Sequence, residues 1–300
     1  MRGLLAPMCS FTHNVGAVGS GRRFTRHESG DLQTLVAAFE AALPGQDSQA
    51  YADPSAEEVS VVLEAVRSAL AGRPEAASRL LARLSCELAS FEDTRAGGSH
   101  LLLRELIPTQ RGWGLFVLNP SPCARNLVVE APHPAWDRFT PELGAEAYLR
   151  LNARAFLLAG AHRYANGERS PLSDMTRNPR SLFQRLHELL TDADSQVLQY
   201  HGFKRDNHPD YPNVVLSNGS ERPHHELYLL KAALEARGET VGIYDGQSWR
   251  ALAATGNPQA RHTRETGGRF YHVETRYGLR KDPTRRSGLV ETAAEALLPA

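Results

Sequence analysis

From about residue 100 onward, short β-rich apolar runs alternate with helical stretches, and that alternation restricts the chain to few architectures. The runs are LLLREL (101–106), WGLFVLN (113–119), NLVVEA (126–131), AFLLAGA (155–161), QVLQYH (196–201), NVVLS (213–217), TVGIYD (240–245) and RFYHVET (269–275). Helical stretches at 141–153, 180–191 and 223–237 lie between several of them, and another closes the chain at 287–298. Strands that alternate with helices imply an α/β fold: a mixed, mostly parallel sheet of about eight strands with helices on both faces. The first two runs, joined by IPTQRG, read as an antiparallel hairpin at one edge of that sheet.

Upstream of residue 96 the period is helical. The segment 31–43 follows possible caps at Ser29 and Asp31, and 55–70 opens with Ser55 and Glu58 at capping-box spacing. A third helix is expected over 74–93, with Pro74 at its first position. Residues 1–30 show no period and read as an irregular leader. The expected division is therefore a helical N-terminal extension (1–95) and an α/β domain (96–300).

Lys+Arg and Asp+Glu cancel at 34 each, so charge supplies no reason to expect nucleic acid or an anionic membrane as a partner. No apolar run approaches the roughly 20 residues needed to cross a bilayer. The opening MRGLLAPMCSFTHNVGAV is a poor secretory signal, because Pro7 and His13 interrupt a short apolar patch. Cys9, Cys86 and Cys123 are odd in number and widely spaced, which suits neither a disulfide framework nor a cysteine-type zinc site. The expected compartment is cytoplasmic, with an exported form as the alternative. Any metal would have to be held by histidine and carboxylate.

Such residues gather where the runs end. In VVEAPHPAWDRFT (128–140) a strand breaks off at His133 between two prolines, with Asp137 four residues on. The fourth run ends at His162-Arg163, the fifth at His201-Gly202, and the eighth carries Glu274 and Arg276. Open α/β sheets place their sites beyond the carboxyl ends of strands. Catalytic zinc takes three protein ligands and leaves a position to water. His133 and Asp137 supply a short-loop pair stiffened by prolines, His201 a distant third ligand, and Glu274 the general base. In SDMTRNPRSLFQRLHELL (173–190), Arg177, Asn178 and Arg180 precede a helix, where a guanidinium can clamp a carboxylate or polarise a carbonyl. Asp174 is either a partner to a ligand histidine or a helix cap. His162 and Arg163 either line the same pocket or bond a loop.

The order of these motifs, His-x-x-x-Asp, then Asp-x-x-Arg-Asn, then a strand ending His-Gly, then one ending Glu-Thr, resembles the zinc carboxypeptidase superfamily. Its amidohydrolase branch, of N-formylglutamate amidohydrolase, succinylglutamate desuccinylase and poly-γ-glutamate hydrolase types, is the most similar. The resemblance covers about residues 113–282. It implies a Zn2+ cofactor on His133, Asp137 and His201, with Glu274 as base. Arg177 and Asn178 would act on the carboxylate or carbonyl of a small-molecule or peptide substrate, with Arg180, Arg163 and Arg276 as further substrate contacts. The usual short-loop pair in that family is His-x-x-Glu, whereas here it is His-x-x-x-Asp. Two other readings remain at this stage: a non-catalytic binding module on the same fold, and a metal-independent phosphatase using histidine and arginine. No Arg-His-Gly motif supports the latter.

Overall fold

All eight apolar runs form strands. The fold is seen in a computed structural model that describes residues 26–106 and 111–297, so most of the leader and of the IPTQRG connection lies outside the described residues. In chain order the elements are β1 (Arg26–Gly30), α1 (Leu32–Ala41), α2 (Ala56–Leu70), α3 (Pro74–Ala82), β2 (Cys86–Asp93), β3 (Ser99–Glu105), β4 (Leu115–Leu118) and β5 (Ala124–Ala131). There follow α4 (Thr140–Arg150), β6 (Ala153–Leu158), α5 (Leu182–Leu190), β7 (Gln196–Phe203), β8 (Val214–Ser217), α6 (His225–Ala236) and β9 (Val241–Ile243). The chain finishes with α7 (Pro258–Thr266), β10 (Arg269–Arg276), α8 (Tyr277–Lys281) and α9 (Pro283–Leu297).

The strands make one mixed 10-stranded sheet in the order β1-β2-β3-β4-β6-β5-β7-β10-β8-β9. Its central strands β6, β5, β7 and β10 are mutually parallel, so their carboxyl ends share one edge. Helices cover both faces. One core cluster joins Leu32, Val36, Leu143, Tyr148, Leu227 and Val290 to one face, and the other joins Val62, Val66, Leu81, Phe183 and Leu186 to the opposite one.

Local signals worked where they were strong. Ser55 accepts from the Glu58 amide and Glu58 reaches back to the Ser55 amide, the reciprocal pair that satisfies two donors at the start of α2. Asp31 caps α1, whereas Ser29 lies in β1.

Three expectations are corrected. The helix expected over 74–93 stops at Ala82, the chain turns through Ser85 at φ 53°, and Cys86–Asp93 becomes β2. Almost every residue of β2 is buried, on both faces, so its apolar pattern does not distinguish a strand from a buried helix. β2 pairs with β3, and β1 adds a parallel edge strand. The division expected at 95/96 therefore falls between two hydrogen-bonded strands of one sheet, and the described part of 1–95 is not purely helical. For the same reason the β3–β4 hairpin lies inside the sheet rather than at its edge. Cys86 is a buried free thiol. No helix among the described residues is long and apolar enough to cross a membrane.

Where α1 meets α4, burial and the neighbouring Glu142 carboxylate push Glu40 up to about 7 from an ordinary 4.5. A raised carboxyl contributes its stability below the unfolded value and loses it as pH rises through the folded one. Glu40→Gln is therefore expected to gain about 1–2 kcal/mol at about pH 8 and nothing at about pH 4, discounted for partial solvent screening. Urea unfolding at both pH values reads this directly, and an equal effect at both would refute it.

Candidate metal centre

The parallel trio β5, β7 and β10 brings the candidate residues to one sheet edge. His133 sits in the turn after β5, and the Asp137 amide donates to the His133 carbonyl at 2.8 Å, closing a single turn between the two prolines and the following helix. That turn places His133 Nδ1 3.2 Å from Asp137 Oδ2. The same Oδ2 lies 3.3 Å from His201 Nδ1 on β7. Glu274 of β10 is the register partner of His201, so the two side chains stand side by side on one face. His133, Asp137 and His201 are all at most 3% exposed.

His133 has a support of its own. Asp174 Oδ1 lies 2.9 Å from His133 Nε2, and its other oxygen accepts from Arg163 at 2.5 Å. Thr176 adds its hydroxyl to Asp174 at 2.7 Å. Of the two roles open for Asp174, the structure thus selects the partner to a histidine. His162 accepts the Tyr164 amide at 3.1 Å and so bonds a loop. Gly202, next to His201, is required by a side chain rather than by backbone: a Cβ there would lie 1.9 Å from Arg280 Cζ.

The electrostatics follow from burial set against pairing. Burial would raise Asp137, but hydrogen bonds from His133 and His201 hold it well below the usual carboxylate range. Burial would likewise raise Asp174, and His133 and Arg163 reverse that. Burial and Arg163 pull His133 down, yet Asp174 and Asp137 outweigh them and raise it. Burial lowers His201 to about 4, leaving its imidazole neutral and able to donate a lone pair. Burial and the Asp137 charge push Glu274 well above its ordinary value.

A cavity of about 790 Å³ opens over this cluster. Arg163 and Arg177 line it, together with Arg138, Lys204, Arg250 and Arg280, against only two carboxylates, Asp137 and Glu274. The remaining candidates lie elsewhere. Asn178 and Arg180 are not among the lining residues; they grip Asp53 at 2.5 Å and 2.9 Å and so tie the start of α5 to the segment before α2. Arg276 is also absent from the lining, its guanidinium donating to the Tyr211 carbonyl. The side chains of these three therefore bond protein partners outside the cavity lining.

Two lining residues escaped sequence reasoning. His272 stands two residues before Glu274 on the same face of β10, and the period of a strand was the signal available for it. Arg280 is 2% exposed, bonding the Arg138 and Thr275 carbonyls. Nothing in the run of basic residues after β10 singles it out.

The sequence matches no family model, and no curated protein matches it. Among solved structures the chain is similar to N-formylglutamate amidohydrolase from Ralstonia eutropha JMP134 (15% identity, 61% of this chain and 96% of that one, TM-score 0.38). It is also similar to a bacteriophage poly-gamma-glutamate hydrolase (12% identity, 58% and 83% covered, TM-score 0.38). A metallo-carboxypeptidase from Burkholderia cenocepacia matches at 14% identity, with 83% of this chain and 69% of that one covered and a TM-score of 0.38.

The donor set fits a divalent metal. The ligating atoms of His133, Asp137 and His201 lie within 4.8 Å of one another. Two nitrogens and one carboxylate oxygen are the donors of a catalytic zinc site. Two buried polar atoms on residues that line the cavity, Glu274 Oε2 and His272 Nδ1, have no hydrogen-bond partner among the described residues. Such orphans are costly in a closed core and call for a ligand or water.

Proposed function

We propose that the protein is a zinc-dependent hydrolase of an amide bond in a peptide or acyl-amino-acid substrate that carries a carboxylate. The observation that carries this reading is the convergence of His133 Nδ1 and His201 Nδ1 on Asp137 Oδ2, at 3.2 Å and 3.3 Å, with the unpartnered Glu274 Oε2 in the same cavity. Zinc held there supplies Lewis-acid polarisation of a carbonyl and acidifies water toward neutral pH. Glu274 takes the proton of the attacking water and delivers it to the departing amine nitrogen. Glu274, raised by burial and by the Asp137 charge, would be drawn back toward the ionised form a base needs if His133, Asp137 and His201 held a divalent cation.

Arg163 is 17% exposed in its side chain and locked on Asp174, so it acts as a fixed positive wall. Arg177, 67% exposed and 3.8 Å from Asp174, is free to swing onto a carbonyl oxygen or carboxylate. The excess of cations over carboxylates in the lining favours an anionic substrate.

Metal analysis of the purified protein tests the reading. Zinc near one equivalent is expected, and His133→Ala and His201→Ala should each lose it while circular dichroism stays unchanged. A folded wild-type protein that takes up no zinc on dialysis against the metal would overturn the assignment.

A further inference from the structure

Arg280 is the most deeply buried arginine of the described residues, 2% exposed, yet it has no carboxylate partner among them. Arg104, Arg111 and Arg163 are less buried, and each is paired with a carboxylate at 2.5–2.9 Å. No carboxylate of the described residues comes within 4.0 Å of the Arg280 guanidinium. Taking a cation out of water is costly unless an anion meets it, so a charge left in this state calls for one.

Backbone groups fix where that charge sits. Nε donates to the Arg138 carbonyl at 2.9 Å, and Nη1 donates to the Thr275 carbonyl. Thr275 is the register partner of Gly202, and the two follow Glu274 and His201 by one residue, about 3.3 Å along the strands. Gly202 makes the room, since a Cβ there would lie 1.9 Å from both Cζ and Nη1 of Arg280. Arg280 lines the cavity beside the candidate metal centre. A guanidinium carries five N–H donors. The two carbonyls take two of them, and the other three have no partner among the described residues.

We propose that Arg280 binds the carboxylate of the substrate, and that Gly202 is the cradle that lets it do so. Unpaired N–H groups on a planar, charged fork suit a carboxylate better than a neutral oxygen. Because two carbonyls already hold the fork, little side-chain freedom is lost on binding. Arg177, 67% exposed, lacks that anchorage and is left for the carbonyl oxygen. The inference rests on the proposed function only in taking the bound carboxylate as the substrate's, and its test needs no metal.

Titration calorimetry of metal-free protein at neutral pH with N-acetylglycine is the measurement, with N-acetylglycinamide as the uncharged control. The wild type is expected to bind the anion and not the amide. Arg280→Met should weaken anion binding about 10–100-fold. Gly202→Ala, which pushes the guanidinium aside and keeps its charge, should weaken it as well. Arg250→Met removes an exposed cation of the lining and should change the affinity less than about threefold. Equal losses in Arg280→Met and Arg250→Met would reduce the effect to net charge and overturn the proposal. A folded Arg280→Met that binds like wild type also overturns it, and leaves Arg280 as a charge acting on Glu274 alone. If neither Arg280→Met nor Gly202→Ala folds, the wild-type preference for anion over amide decides. Binding that depends on Arg280 in a protein that takes up no zinc would sustain this role and sink the hydrolase reading. Zinc uptake with anion binding indifferent to Arg280 would do the reverse.

Discussion

Glu274→Gln is expected to lower kcat/KM by about 10²–10⁴-fold while zinc content stays at the wild-type value. Glutamine preserves the shape of the side chain and its place between His201 of β7 and Val215 of β8 but cannot take a proton. Glu274 is the register partner of His201 and is buried, with one oxygen unpartnered among the described residues, so the loss should fall on chemistry rather than on folding. The measurement pairs metal analysis with hydrolysis of a panel of N-acyl amino acids and C-terminal dipeptides. If Glu274 carried the proton, kcat would fall with KM nearly unchanged. An alternative donor group exists: His201, His272 and Glu274 also lie within metal-binding distance of one another. Should Glu274→Gln lose the metal together with activity, that second group holds the ion and Glu274 is a ligand, not a base. Full activity in the variant would remove Glu274 from the mechanism altogether.

The second large effect concerns stability. Asp174→Ala is expected to cost about 3–5 kcal/mol in metal-free protein, the range for removing one partner of a buried ion pair. Asp174 is 2% exposed and receives His133, Arg163 and Thr176 at once. Its loss leaves the Arg163 guanidinium charged and without its carboxylate partner. The pH dependence has a definite sign. Asp174 sits below its ordinary 3.8 in the folded protein, so its contribution is present above that value and drains away as pH falls through it. Acid unfolding of Asp174→Ala should accordingly be shallower than that of wild type below about pH 4. Urea denaturation of both proteins from neutral to acid pH gives the two curves. A variant within about 1 kcal/mol of wild type at neutral pH would mean that Arg163 and His133 find replacement partners, and that the pair contributes little.

How much could be read from the chain alone varies by element, for physical reasons. The strands were legible because β-branched and aromatic residues cluster in short runs bounded by turn residues, a local property. β2 was not, since a strand buried on both faces loses the alternation that identifies it. The gathering of His133, Asp137, His201 and Glu274 was legible because each is of a residue type that can bind metal or move a proton and stands at or beside a run's end, and parallel strands carry such ends to one edge. Asn178 and Arg180 misled for the opposite reason. Their sequence context suits a substrate clamp, but Asp53, far away in sequence, captures both.

The sequence by itself determined the α/β alternation, the helix start at Ser55 and the residue types available for a metal centre, since each depends on neighbours a few positions apart. Strand order belongs to the tertiary structure, and with it the register that sets Glu274 beside His201 and Gln199 below. So does the sorting of arginines into those that reach the cavity and those that do not. These depend on contacts between residues distant along the chain, which no local pattern records. The His-x-x-x-Asp turn shows the boundary well: its two residues are visible in the sequence, while Asp174 beside His133 and Gln199 beside His201 are brought there by the fold.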